Sequence, residues 1–124
     1  MIHILCVGIG GFSGAILRYL ISLRFAEAKF PFGTLIVNVM GGVLIGFIME
    51  MSTRTNYISD NLKLFLVTGL MGGLTTFSTF SFENVKFFDS GNYMLFGLNI
   101  FLNLTLSILG VFIGRTLCRQ FVNM

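Results

Sequence analysis

The sequence predicts an all-α membrane protein of four transmembrane helices, the third of them broken. Three observations carry that expectation. The 124-residue chain is 55% hydrophobic and 10% charged, with a mean hydropathy of +0.90, whereas a soluble domain carries about 25% charged residues. Four apolar stretches approach or exceed the roughly 20 residues a helix needs to cross the hydrocarbon core, and only short polar connections separate them. Inside the third stretch, "GLMGGLTTFSTFSFE", Gly69 to Glu83, interrupts the apolar run with three glycines and a cluster of hydroxyls.

The first span is expected over Ile4–Leu23, with one charge, Arg18, near its end. The second covers Gly33–Met51 and holds Asn38 as its main polar residue. The third runs over Leu62–Phe88 and the fourth over Tyr93–Leu117. "RFAEAKFP", "STRTNYISDN" and "DSGN" mark the connections. Residues 1–124 thus form a single four-helix transmembrane domain, with no room for a soluble one. The apolar stretch from the N-terminus continues to Leu23 behind no charged n-region, so no cleavable signal pattern is expected.

Composition excludes several classes. The net charge of +3 comes from scattered Lys and Arg with no basic run, which argues against nucleic acid. Cys6 and Cys118 lie in apolar segments near opposite ends and read as small buried hydrophobes rather than a disulfide or metal pair. "IHILCVGIGGFSG" has the look of a dinucleotide-binding turn, but Ser13 stands where a third glycine should fall. Glu27, at the distance of that fingerprint's acid, lies in a connection between spans. Helix packing explains these glycines better. Gly10/Gly14, Gly42/Gly46, Gly69/Gly73 and Gly110/Gly114 are spaced by four, a pattern that lets helix backbones approach closely in lipid. Four thin helices enclose little interior, so an oligomer is expected.

Orientation is poorly specified. The side holding both termini carries Arg54, Lys63, Arg115 and Arg119; the other carries Arg24, Lys29 and Lys86, with Arg18 just inside the membrane. Lys/Arg asymmetry sets orientation, and here there is almost none. Insertion in both directions and a single weakly biased orientation both fit.

The polar residues of the spans each have two readings. Arg18 either snorkels to the headgroups or draws anions into a vestibule. Asn99, Asn103 and Ser107 fall at i, i+4 and i+8 on one face of the fourth helix, as interhelical glue or as a hydrogen-bonding track. Neutral amide and hydroxyl donors suit an anion, and Glu83 is the only acid well inside a span. Phe77 and Phe80, on neighbouring turns, either pack or offer the positive edges of their rings to an anion. The glycines at 69, 72 and 73 make unwinding cheap. Non-helical backbone at membrane depth survives only when buried in protein or lining a cavity. A break frees carbonyls able to ligate a monovalent cation and exposes a new helix N-terminus near Thr75–Phe77 that favours anions.

These residues resemble the Fluc/CrcB family of fluoride ion channels along nearly the whole chain. "GGFSGAILRY" at 10–19 and "GTLIVNVMGGVLIG" at 33–46 resemble its first- and second-helix motifs, and "GLMGGLTTFSTFSFE" at 69–83 is similar to its most specific signature. The resemblance implies an antiparallel, dual-topology homodimer in the cell inner membrane or plasma membrane, with two pores lined by both subunits. It implies a structural sodium ion (Na+) at the dimer centre, held by the carbonyls of Gly72 and Thr75. It implies pore roles for Asn38, Phe77 and Phe80, with Asn103 and Ser107 on the polar track, Arg18 near the vestibule, and Thr79 and Glu83 close to the pore. Some members carry a tyrosine at the position of Asn99 and a hydroxyl residue at that of Asn103, so the donors of this track differ. The implied function is passive fluoride efflux, protecting the cell from fluoride toxicity. A small multidrug exporter, also four-spanning, needs a carboxylate in its first helix, and Ile4–Leu23 has none. A non-conducting structural subunit is the other competing reading. No catalytic constellation is present, and an enzyme is not expected.

Overall fold

The first span folds as α1 (Ile2–Arg24) and the second as α2 (Phe32–Arg54). In the computed structural model, which describes all 124 residues, both begin and end within about three residues of the sequence expectation. The third span is composite. A Ser59-capped turn, α3 (Asp60–Lys63), leads into a π-helix (Leu64–Met71) and a closing turn, α4 (Gly72–Leu74). After an extended step at Thr75 and Thr76 the chain resumes as α5 (Phe77–Asp89). The fourth span is α6 (Tyr93–Val122), capped by Asn92, whose side chain accepts from the Leu95 N–H at 3.4 Å. Each of the four spans is long and apolar enough to cross a membrane.

The turn between α5 and α6 needs a left-handed residue, and Gly91 supplies it at φ 75°. The Asn92 N–H then donates to the Phe87 carbonyl at 2.9 Å and the Gly91 N–H to that of Phe88 at 3.1 Å, the paired bonds that close a helix C-terminus.

The four glycine pairs build two close helix contacts. Gly10 and Gly14 of α1 meet Gly69 and Gly73 of the third span; Gly42 and Gly46 of α2 meet the backbone of α6 around Ser107 and Val111, where Gly110 and Gly114 also pack on α2. A Cβ on Gly69 would stand 2.8 Å from the Val7 carbonyl oxygen and 2.9 Å from Gly10 Cα. Dispersion between backbones is what holds helices together where lipid removes the hydrophobic drive. The centre of the bundle is filled by Val37, Met71 and Leu74. At the end carrying the termini, the Glu50 carboxylate accepts from Arg54 Nε at 2.6 Å and from Arg119 Nε at 2.7 Å, tying α2 to α6. Ile4, Ile9 and Phe12 of α1 and Phe101, Ile108 and Phe112 of α6 point outward, as lipid or a partner subunit requires.

One expectation needs correction. The glycines at 72 and 73 do not unwind: Gly72 is helical at φ −62° and ψ −37°. The extended residues are Thr75 (φ −83°, ψ 153°) and Thr76 (φ −149°, ψ 120°). Branching at Cβ favours extended backbone, whereas Gly69 and Gly73 serve the contact with α1.

Candidate functional site

The break leaves backbone groups without helical partners, and three side chains take them up. Asn38 of α2 lies beside Thr76 and pairs with it as a neighbouring strand would. The Thr76 N–H donates to Asn38 Oδ1 at 2.9 Å, and Asn38 Nδ2 donates to the Thr76 carbonyl at 3.2 Å. Thr76 Oγ1 caps α5 by accepting from the Thr79 N–H at 3.2 Å. Arg18, half-buried on α1, donates from Nε to the Gly73 carbonyl at 2.9 Å. Its cation thus sits at the carboxyl end of the first half-helix, where the dipole favours positive charge. The N-terminus of α5 faces the other way, with Phe77 at its first position.

From Asn38 a line of amides runs inward. Asn38 Nδ2 donates to Asn103 Oδ1 at 3.0 Å, Asn103 Nδ2 to Asn99 Oδ1 at 2.8 Å, and Asn99 Nδ2 to Asn84 Oδ1 at 3.0 Å. Asn99 is fully buried, and Asn103 and Asn84 nearly so. The structure therefore joins Asn99 and Asn103, as their i, i+4 spacing predicts, and adds Asn84 of α5, which sequence reasoning passed over. Asn84 is a polar residue inside a span, four positions after Phe80 and so on the same helical face; that spacing was the available signal.

A cavity of about 440 Å³ lies against the break. Asn38, Gly72, Thr75, Phe77, Phe80, Asn103 and Ser107 all line it, with Thr76 completing the polar wall. The Phe77 and Phe80 ring centroids are 5.6 Å apart with planes tilted by 51°. Phe80 is buried, while Phe77 is 73% exposed. Thr79 and Glu83 do not reach this cavity. They line a second one of about 300 Å³ with Thr34, Lys29 and Lys86. There Thr34 Oγ1 donates to Glu83 Oε1, and Glu83 Oε2 is buried without a partner.

Two carbonyls at the break stay free. The Thr76 N–H that would close a helical bond to Gly72 goes to Asn38, and the Thr79 N–H that would reach Thr75 goes to Thr76 Oγ1. Neither the Gly72 nor the Thr75 carbonyl accepts a hydrogen bond, although Thr75 Oγ1 donates to the Met71 carbonyl at 2.8 Å. Carbonyls freed in this way are hard oxygen ligands of the kind that a monovalent cation such as Na+ takes. No cluster of acidic, histidine or cysteine side chains offers an alternative metal site.

Comparison with known proteins identifies the family. The family model described as CrcB-like protein, Camphor Resistance (CrcB), matches residues 5–115. The chain is 57% identical over 118 residues to a fluoride-specific ion channel FluC of Clostridium perfringens (strain 13 / Type A), covering 93% of this chain and 92% of the relative. Its match to the protein of that name from Clostridium novyi (strain NT) is 52% over 120 residues, 94% of each chain. Its match to that of Roseiflexus sp. (strain RS-1) is 43% over 120 residues, 94% of this chain and 97% of the other. With matches spanning nearly its whole length and four membrane-crossing helices of its own, the chain belongs to the CrcB family of multi-pass membrane proteins.

Proposed function

We propose that this protein is a fluoride-selective ion channel, not an enzyme, and that it lets fluoride leave the cell passively down its electrochemical gradient. The observation that carries the reading is the break itself. A two-residue extended step, braced by Asn38, opens onto a cavity walled by Phe77, Phe80, Asn103 and Ser107. Fluoride is small and strongly hydrated, so a path for it needs close donors and ring edges in place of water. The relatives named fluoride-specific ion channel FluC support the same reading.

The working unit is an antiparallel homodimer with two pores. Gly72 lies at the outer face of the chain, and its carbonyl and that of Thr75 have no partner. Lipid would leave them unsatisfied at a cost of several kcal/mol each. A second copy related by a twofold axis in the membrane plane covers them and brings its own pair alongside. Such carbonyls supply ligands for a structural Na+, and the cation offsets their partial negative charge. The exposed Phe77 ring suits the same interface. Arg18 steadies the break from α1, and Thr79 and Glu83 belong to the far part of the pathway.

Flux from liposomes tests the function. Vesicles holding purified protein are loaded with equal fluoride and chloride, and both ions are followed by electrodes after a potassium ionophore is added. Rapid fluoride loss with chloride retained is the expected result. Retention of both ions by folded, dimeric protein would overturn the channel reading in favour of a structural subunit.

A further inference from the structure

The amide line at the site has a fixed direction, and it ends on an amide whose NH₂ makes no hydrogen bond. Amide orientations are assigned from hydrogen-bond networks, so the assignment must be anchored in groups that cannot flip. Here the backbone anchors it. The Thr76 N–H can only donate and the Thr76 carbonyl can only accept, so Asn38 presents Oδ1 to one and Nδ2 to the other. Its second Nδ2 hydrogen then goes to Asn103, which must offer Oδ1. Asn103 Nδ2 turns to Asn99, where the backbone carbonyl at 3.0 Å and Oδ1 at 2.8 Å both accept. Asn99 Nδ2 follows to Asn84 Oδ1. Beyond Asn38, which also donates back to Thr76, each amide therefore donates away from the break, and the series ends on the NH₂ of Asn84.

That terminal group is unusual. Asn84 is 7% exposed, yet its Nδ2 donates to nothing in the chain, and it is not among the polar atoms sealed away without a partner. A donor that the fold leaves open and unpaired is available to a ligand. Bonds in series polarise one another, which makes the last N–H in the line more acidic than that of a lone amide. By contrast, both Nδ2 hydrogens of Asn38 and of Asn103 are engaged within the protein.

We propose that Asn84 Nδ2 is an anion-binding donor of the fluoride pathway, and that Asn99 and Asn103 act chiefly by aligning it. The inference rests on the fluoride-channel reading and adds to it a contact on α5. It moves the direct hydrogen bond from the α6 amides to the neighbouring helix.

The test separates the free donor from the accepting oxygen. Asn84→Asp keeps an oxygen for Asn99 and removes the NH₂. Asn84→Ser keeps both a donor and an acceptor. Asn84→Leu removes both. Each variant is purified, checked for dimer assembly, and assayed for fluoride efflux from liposomes beside the unaltered protein. Loss of a hydrogen bond to a charged ligand predicts a fall of about ten-fold or more in initial rate for Asn84→Asp and Asn84→Leu, with Asn84→Ser within a few-fold of the original. Equal rates for all folded variants would overturn the proposal. So would an Asn84→Ser as slow as Asn84→Leu, because packing alone would then explain the position. If Asn84→Asp fails to assemble, the comparison of Ser with Leu decides. Silence of the unaltered protein would instead refute the channel reading itself.

Discussion

Asn38 shows how much a single side chain does at a break. Its amide meets both backbone groups of Thr76 and a second amide on α6, so it fixes the step and starts the polar line together. In sequence it is visible only as a lone polar residue in an apolar span. Its contact with Thr76, 38 residues away, leaves no trace in local pattern. Phe80 is the converse case, since a phenylalanine among fifteen carries little signal by itself. The structure buries it beside Phe77 on the cavity wall. The about 0.5–1.5 kcal/mol of an aromatic pair, taken as the scale for a ring edge facing an anion, corresponds to as much as about ten-fold in rate. Phe80→Ile should therefore slow fluoride efflux by up to about that factor. Because the swap is apolar and similar in bulk, it should cost less than about 1.5 kcal/mol of stability, and the dimer should remain intact on gel filtration. Unchanged flux would remove Phe80 from any direct part in conduction.

At the scale of helices, the glycines divide into two kinds, and spacing tells most of them apart, Gly33 against Ser22 and Gly41 against Thr75 being close contacts that the pairs do not include. Those spaced by four sit where backbones touch. Gly8 and Gly97 lie outside these four pairs, and a Cβ at either meets nothing within 4 Å. Gly69→Ala should thus overpack the α1 contact and cost about 1–3 kcal/mol, seen as a lower midpoint in thermal or denaturant unfolding in detergent. Gly97→Ala should do the opposite, gaining up to about 1 kcal/mol from helix propensity. A neutral Gly69→Ala would show that α1 and the third span can separate without loss. Most span boundaries were equally legible, because hydropathy decides them in lipid, although α6 runs five residues past the expected Leu117 to Val122. The site of unwinding was not. Glycine frequency pointed at 69–73, but the contact with α1 holds those residues helical, and the step falls at two threonines with Asn38 waiting beside them. The π-helix over Leu64–Met71 is a further surprise of the same sort. Such wider turns gather at functional sites, but nothing in an apolar run distinguishes one from an ordinary helix.

For the whole molecule, the charge distribution makes the proposed antiparallel pairing testable. The structure refines the count. Arg18 is engaged with the Gly73 carbonyl inside the bundle, so it does not act as a connecting-segment charge. Arg54, Lys63, Arg115 and Arg119 then stand against Arg24, Lys29 and Lys86. The pairing of Arg54 and Arg119 with Glu50 changes this little, since acids contribute weakly to orientation. Four against three is close to no instruction, and the proposed antiparallel dimer depends on that. Two added lysines should end that balance. Asn56→Lys with Tyr57→Lys, both in an exposed connection, should hold the termini in the cytoplasm. Glu27→Lys with Asp89→Lys, also exposed, made together with Lys63→Gln so that five Lys and Arg stand against three, should force the reverse. Each set alone should abolish fluoride resistance in cells, since every copy then points the same way and no antiparallel partner exists. Expressed together, the two should restore it, and labelling of cysteines placed in the connections should report opposite sidedness for the two chains. Full resistance from either locked chain alone would mean that a parallel assembly conducts, and the free carbonyls of Gly72 and Thr75 would then have to be covered by something other than their own twofold mates.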